Sequence, residues 1–297
     1  MQSRRQFLGI VGAAACGVQG GRLTRSLGTV LSAATGRPPN VVLVLTDDQG
    51  YGDLACHGNP ILRTPNIDEN MGRLLDKLKT LGLEENTILI FMTDNGTAAG
   101  FQGGRGFNAG MRGTKVSQYD GGHRVPCFVR WPAGGLGGGK DVTRLTAHID
   151  LLPTLIAACG LATPVGARFD GTSLVPLLRG QEGGWPDRIL ITDSQRIEHP
   201  EKWRQSAVMT DRWRLINGRE LYDIRADRGQ KNDISGEHPE AVKSLREACE
   251  KWWGDVSPRF DEYCEIVIGS DRENPTRLTA DDGTSRGEYF VYVRRIS

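Results

Sequence analysis

Two stretches of this 297-residue chain place several oxygen donors directly after an apolar run. Leu45-Thr46-Asp47-Asp48 closes a run that begins at Val41, and Met92-Thr93-Asp94-Asn95-Gly96 closes one that begins at Thr87. If the two runs are neighbouring parallel strands, their carboxyl ends bring Asp47, Asp48, Asp94 and the amide oxygen of Asn95 together, where open α/β sheets bind ligands. Three carboxylates at close range repel unless a cation neutralises them. A donor set made only of oxygen selects a hard ion, Ca²⁺ or Mg²⁺, over zinc. The competing reading is that each aspartate caps the turn leaving its strand. Two matching strand ends favour the cation.

Lys115 is the second chemical feature. It ends Met111-Arg112-Gly113-Thr114-Lys115, within the stretch 96–140 that holds 14 of the chain's 39 glycines. An ammonium held by such a loop beside a dication suits an anionic oxygen, such as that of a sulfate or phosphate. A solvated loop lysine is the alternative. His57, His123 and His148 stand alone in sequence and read as structural residues.

The elements that must position these groups are legible in the periodicity. Val41 to Leu45 has no polar alternation and suits a parallel strand buried on both faces. Apolar residues at 67, 71, 74, 75, 78 and 81 form the stripe of an amphipathic helix, which Gly82 can end. Thr87 to Met92 is a second buried run, so strand, helix and strand form a right-handed crossover in an α/β core. Cys127 to Trp131 reads as a short strand stopped by Pro132. Asp150 to Cys159 reads as a helix with Pro153 in its first turn. Further on, Trp213 to Tyr222 is a hairpin around Asn217-Gly218, a two-residue turn signal. Pro239 to Trp253 is a helix with Val242, Leu245, Ala248 and Trp252 on one face. The domains are therefore 1–36, signal and linker; 37–184, α/β core; and 185–297, a smaller C-terminal α+β subdomain.

Composition narrows the class. Lys plus Arg at 37 against Asp plus Glu at 36 leaves a net charge of +1, which gives no basic excess for nucleic acid. Arg4-Arg5 ahead of Phe7 to Ala15 is a twin-arginine export pattern, and the apolar run is too short for a stable membrane span. The chain is thus expected to be exported to the periplasm or beyond, with Cys16 at a cleavage site or a lipidation site. The six cysteines show no CxxC and no Cys/His zinc spacing, which argues against a zinc site. Cys127 and Cys159 sit in apolar runs and are expected to be buried thiols.

Taken together, several segments resemble the sulfatase family of the alkaline-phosphatase-like superfamily. They are Asn40 to Gly52 (NVVLVLTDDQGYG), Arg63 to Asp68 (RTPNID), Gly72 to Gly96, Arg112 to Pro132 and His148 to Gly160. Glu220-Leu221-Tyr222-Asp223 resembles the family's C-terminal domain. The resemblance implies an alkaline-phosphatase-like α/β fold, with a mixed, mostly parallel sheet flanked by helices. It implies hydrolysis of a sulfate ester, in a sulfated carbohydrate or an aryl sulfate. It also maps the family's metal ligands onto Asp47, Asp48, Asp94 and Asn95, and its sulfate-binding lysine onto Lys115.

One departure bears on activity. Family members carry Cys or Ser in a C/S-x-P-x-R motif that is converted to formylglycine, the nucleophile. No cysteine or serine in this sequence is followed by x-Pro-x-Arg. In the family a long stretch follows the segment matched by RTPNID, whereas here GRLLDKL comes within a few residues. The chain therefore resembles a sulfatase with a block excised near Asp68 to Met71. Three readings follow: a family hydrolase without its nucleophile, a non-catalytic metal- and anion-binding remnant, or an ordinary sulfatase from whose sequence the block is missing. Excision from a sheet also predicts unpaired edges and uncovered apolar faces.

Overall fold

The computed structural model describes residues 37–98, 107–195, 197 and 199–260. The twin-arginine segment and Cys16 lie outside these residues, as do most of the glycine-rich stretch before Phe107 and the chain after Phe260. The described residues cluster into two compact units, one of 37–115 and 121–188, the other of 116–120 and 189–260.

In the first unit, β1 (Asn40–Thr46) pairs in parallel with β2 (Thr87–Thr93), from Asn40 opposite Thr87 to Thr46 opposite Thr93. The crossover between them is α1 (Pro65–Thr80). Pro65 occupies its first turn, where a missing N–H costs nothing. The helix ends where the spacing predicts: Gly82 takes φ +68° and the Leu83 N–H donates to the Leu78 carbonyl at 2.9 Å. The point of the inferred excision falls in the first turns of this helix, which runs through it unbroken.

After a single helical turn, α2 (Asp120–His123), comes β3 (Cys127–Arg130), which adds to β2 antiparallel. The sheet order is β1-β2-β3, mixed in direction. β2 is central and buried along all seven residues. Ile88, Ile90 and Met92 on one of its faces pack with Trp131, Leu136, Ala158 and Val175. Leu151 and Leu155 of α3 (Leu151–Ala158) cover that face, and α4 (Val175–Leu178) follows.

Two sequence expectations fail in this unit. β1 is not buried on both faces: Val41, Leu43 and Leu45 are 42%, 48% and 55% exposed. Among the described residues its apolar run has a neighbouring strand on one edge only, and the residues level with Ile88, Ile90 and Met92 are left largely exposed. Cys127 opens β3 at the end of the ladder and is exposed as a residue, although desolvation still pushes its thiol up to about 11, and Cys159 is partly buried. Cys249 is buried as a whole, and its burial likewise pushes its thiol up to about 11.

In the second unit, β4 (Leu190–Thr192), β5 (Ala207–Met209), β6 (Trp213–Ile216) and β7 (Glu220–Asp223) form an antiparallel sheet in sequence order. The β6–β7 turn has Asn217 at φ 50° and Gly218 at φ 67°, the left-handed pair that suits strand twist. The Arg219 N–H closes it on the Ile216 carbonyl at 2.9 Å. Pairing resumes only at Glu220 opposite Ile216, so Arg219 is one residue more than a two-residue loop holds. Across the sheet lies α5 (Pro239–Val256), with Leu245 and Cys249 buried one turn apart against Val208, Leu215 and Leu221. Burying a leucine such as Leu245 contributes about 1.5–3 kcal/mol.

Candidate metal centre

The two strand ends meet as the register requires. The Thr93 hydroxyl donates to the Thr46 carbonyl at 2.8 Å, and the Asp94 N–H reaches the same carbonyl at 3.3 Å. These bonds lock β1 and β2 at the point where the chain turns out of the sheet. Asp48 then adopts φ 55°, a left-handed conformation that aspartate tolerates better than most residues. With that turn, the Asp48 N–H donates to Asp94 Oδ1 at 3.0 Å.

Asp47, Asp48 and Asp94 present carboxylate oxygens that all lie within 4.8 Å of one another. Asn95 stands beside them, its Nδ2 donating to Asp48 Oδ1 at 2.7 Å and to the Gly96 carbonyl at 2.9 Å. A half-turn of this amide would present its oxygen instead, as a cation shared with Asp48 requires. Lys115 Nζ pairs with Asp48 Oδ1, and the Lys115 N–H donates to the Thr97 carbonyl at 2.8 Å, which pins the lysine's backbone beside the cluster. All five residues singled out in the sequence are therefore neighbours.

Close backbone packing builds the wall behind them. The Gly96 N–H donates to the Gly122 carbonyl at 2.9 Å. A Cβ on Gly96 would lie 2.0 Å from the Gly121 carbonyl oxygen, so no other residue fits without moving backbone. Thr93 is fully buried, and its hydroxyl also accepts the Gln49 N–H at 3.3 Å. Sequence reasoning missed this threonine as a positioning group, although Thr stands before Asp in both strand ends.

The electrostatics agree with a cation site. The Asn95 amide, and then the Lys115 ammonium, hold the Asp48 carboxyl below its ordinary range. For Asp94, desolvation pushes the carboxyl up, but the N–H groups of Asp48 and Asn95 outweigh it and leave it lowered. The hydrogen bond to Asp48 raises Lys115. One ammonium against three carboxylates leaves the cluster two charges negative, which a divalent ion would balance. Three carboxylates and an amide oxygen are the donors of a hard dication, so the residues present fit Ca²⁺ or Mg²⁺.

Two of the three histidines singled out in the sequence are held against backbone carbonyls. His148 Nε2 lies 2.8 Å from the Thr93 carbonyl, and His57 Nδ1 lies 2.8 Å from the Tyr51 carbonyl with its ring stacked on Tyr51.

A family model described as Sulfatase matches residues 66–161, and one described as N-sulphoglucosamine sulphohydrolase, C-terminal, matches residues 114–252. Over these residues the chain is similar to the sulfatase family. It is 35% identical to the steryl-sulfatase of Mus musculus over 157 residues, 51% of this chain and 23% of that protein. To an N-acetylgalactosamine-6-O-sulfatase of Bacteroides thetaiotaomicron it is 30% identical over 230 residues, 68% of this chain and 42% of the relative. The chain thus spans less than half the length of either protein. Among solved structures it is similar to Ps i-CgsB in complex with k-i-k-neocarrahexaose, with a TM-score of 0.53 and 26% identity, covering 63% of this chain and 40% of that one. Its fold is accordingly the alkaline-phosphatase-like α/β fold of sulfatases. Among the described residues, no helix is long and apolar enough to cross a membrane.

Proposed function

We propose that this chain binds sulfate esters beside a hard divalent cation held by Asp47, Asp48, Asp94 and Asn95. Lys115 is assigned to a sulfate oxygen of the substrate. The observation that carries this reading is the convergence of three carboxylates within 4.8 Å, with Lys115 paired to one of them. When bound, the cation supplies Lewis-acid polarisation of a sulfate oxygen. An ammonium has three protons, and Lys115 spends one on Asp48, which leaves two for an anionic ligand. The carbohydrate sulfatase among its relatives supports a sulfated carbohydrate as the ligand class, with aryl sulfates as convenient reporters. The twin-arginine segment supports export to the periplasm or beyond.

Turnover is a separate matter. In hydrolases whose catalytic groups act as a unit, losing the nucleophile costs about a millionfold in rate. The 297 residues hold no C/S-x-P-x-R motif from which formylglycine could form. Water on Ca²⁺ or Mg²⁺ is a poorer nucleophile than water on zinc. Binding without efficient hydrolysis is the function this sequence supports.

The test is to produce the chain beside a formylglycine-generating enzyme and assay an aryl sulfate, with sulfate-ester binding followed by calorimetry. Binding that Lys115→Ala removes, with turnover about a millionfold below that of an ordinary sulfatase, is expected. Turnover within about tenfold of an ordinary sulfatase, abolished by Asp47→Ala, would overturn the proposal.

A further inference from the structure

The uncovered edge of β1 is self-complementary, and we infer that two copies of this chain pair there, β1 against β1, about a two-fold axis through Leu43. The inference does not depend on the proposed function.

The backbone shows which groups are available. Asn40 N–H donates to the Asn86 carbonyl and the Thr46 carbonyl accepts from Asp94, so Asn40, Val42, Val44 and Thr46 direct their peptide groups toward β2. Alternation along a parallel strand then points the N–H and C=O groups of Val41, Leu43 and Leu45 at the open edge. Among the described residues no strand lies on that side.

An antiparallel partner needs its hydrogen-bonding residues two apart, and these three are. Setting Leu43 opposite Leu43 of the second copy places Val41 opposite Leu45 on either side of the axis. All three pairs then bond through both of their outward peptide groups. The result is a continuous sheet of order 3-2-1-1-2-3, closed by the symmetry that most homo-oligomers use.

The side chains agree with the backbone. Val41, Leu43 and Leu45 share the face of the sheet occupied by Ile88, Ile90 and Met92, and are 42%, 48% and 55% exposed. In the paired arrangement six of them lie side by side across the axis. The strand carries none of the devices that protect a natural edge, since Asn40 to Thr46 holds no charge and no proline.

Charge at the two ends also favours a second copy over another apolar strand. The same register sets Asn40 opposite Thr46 of the other copy, so the chain just before each strand lies beside the turn that leaves the other. The exposed Arg37 of each copy therefore lies at the end of the other's strand where Asp47 and Asp48 cluster. Neighbouring strands are about 4.8 Å apart, well within an arginine's reach.

Sedimentation of the full chain tests this, with circular dichroism to establish that each variant is folded. A dimer is expected for the wild type. Leu43→Lys, which puts two like charges opposite each other on the axis, should raise the dissociation constant by at least about tenfold. Leu43→Ile should leave it unchanged. Arg37→Glu, at an exposed position that folding does not need, should weaken the dimer, and Arg37→Lys should retain it. Amide exchange at Val41, Leu43 and Leu45 should slow as protein concentration rises. A wild-type monomer at tens of micromolar, on the order of ordinary assay concentrations, or a dimer indifferent to both Leu43→Lys and Arg37→Glu, would overturn the inference.

Discussion

Asp48 accepts from Asn95 Nδ2 and pairs with Lys115, while its own N–H donates to Asp94, so one residue ties Asn95, Lys115 and Asp94 together. Removing a carboxylate should therefore be felt in cation binding. Asp94→Ala is expected to weaken Ca²⁺ binding by about tenfold or more, since a hard ion's affinity follows the number of charged oxygen ligands. Calorimetry giving equal affinities for wild type and variant would exclude the assignment. The sign of the pH dependence follows from the lowered carboxyls of Asp48 and Asp94, both below the ordinary value of 3.8. Groups depressed on folding stay charged as pH falls and stabilise the native state above their unfolded values. Ca²⁺ binding should hold level down to about pH 4 and fall only below it. A decline centred a unit or more above that would show that other groups hold the ion.

At the scale of elements, buried ion pairs fix the loops around each sheet. In the first unit, Asp150 is fully buried; its carboxylate accepts two hydrogen bonds from Arg188 Nη1 at 2.8 Å and the N–H groups of Ala147 and Thr172 at 2.7 Å. Arg188→Met leaves that charge without a cation and should cost about 3 kcal/mol, read from the urea midpoint. In the second unit, Leu245→Ala opens a cavity beneath α5 and should cost about 2–5 kcal/mol. An unchanged midpoint for the first would mean that the backbone N–H groups alone stabilise Asp150. Arg214 Nε meets the buried Asp120 at 2.7 Å, and the Asp120 N–H donates to Gln230 at 2.8 Å, within the second unit. The pairings in these two networks gave no sequence signal, because partners such as Asp120 and Arg214 stand far apart in the chain. By contrast, α1 and α5 were readable from their apolar stripes, and the β6–β7 turn from Asn217-Gly218, since those signals are local.

For the whole molecule, export is the remaining expectation. A twin-arginine signal depends on both guanidinium groups, so Arg4→Lys combined with Arg5→Lys should hold the chain in the cytoplasm. Fractionation that finds the double variant exported like the wild type would contradict the assignment. The chain spans less than half the length of these relatives, which gives the exposed β1 a wider meaning. A strand apolar on both faces is what a sheet interior asks for. Here the same run lies at an edge, and solubility at high concentration depends on what covers it.

What the sequence by itself determined was local: which runs become strands and helices, and which residue types stand at their ends. Asp47-Asp48 and Asp94-Asn95 were identifiable because a strand's carboxyl end is a position in sequence as well as in space. Tertiary structure alone decided the register that sets Thr46 opposite Thr93, the left-handed turn at Asp48, and the pairing of Lys115 with Asp48. It also decided that Val44 and Phe91 share one face while Leu43 shares the other with Ile90 and stays uncovered. Hydropathy records what a side chain prefers, whereas burial depends on which other parts of the chain are present to pack against it.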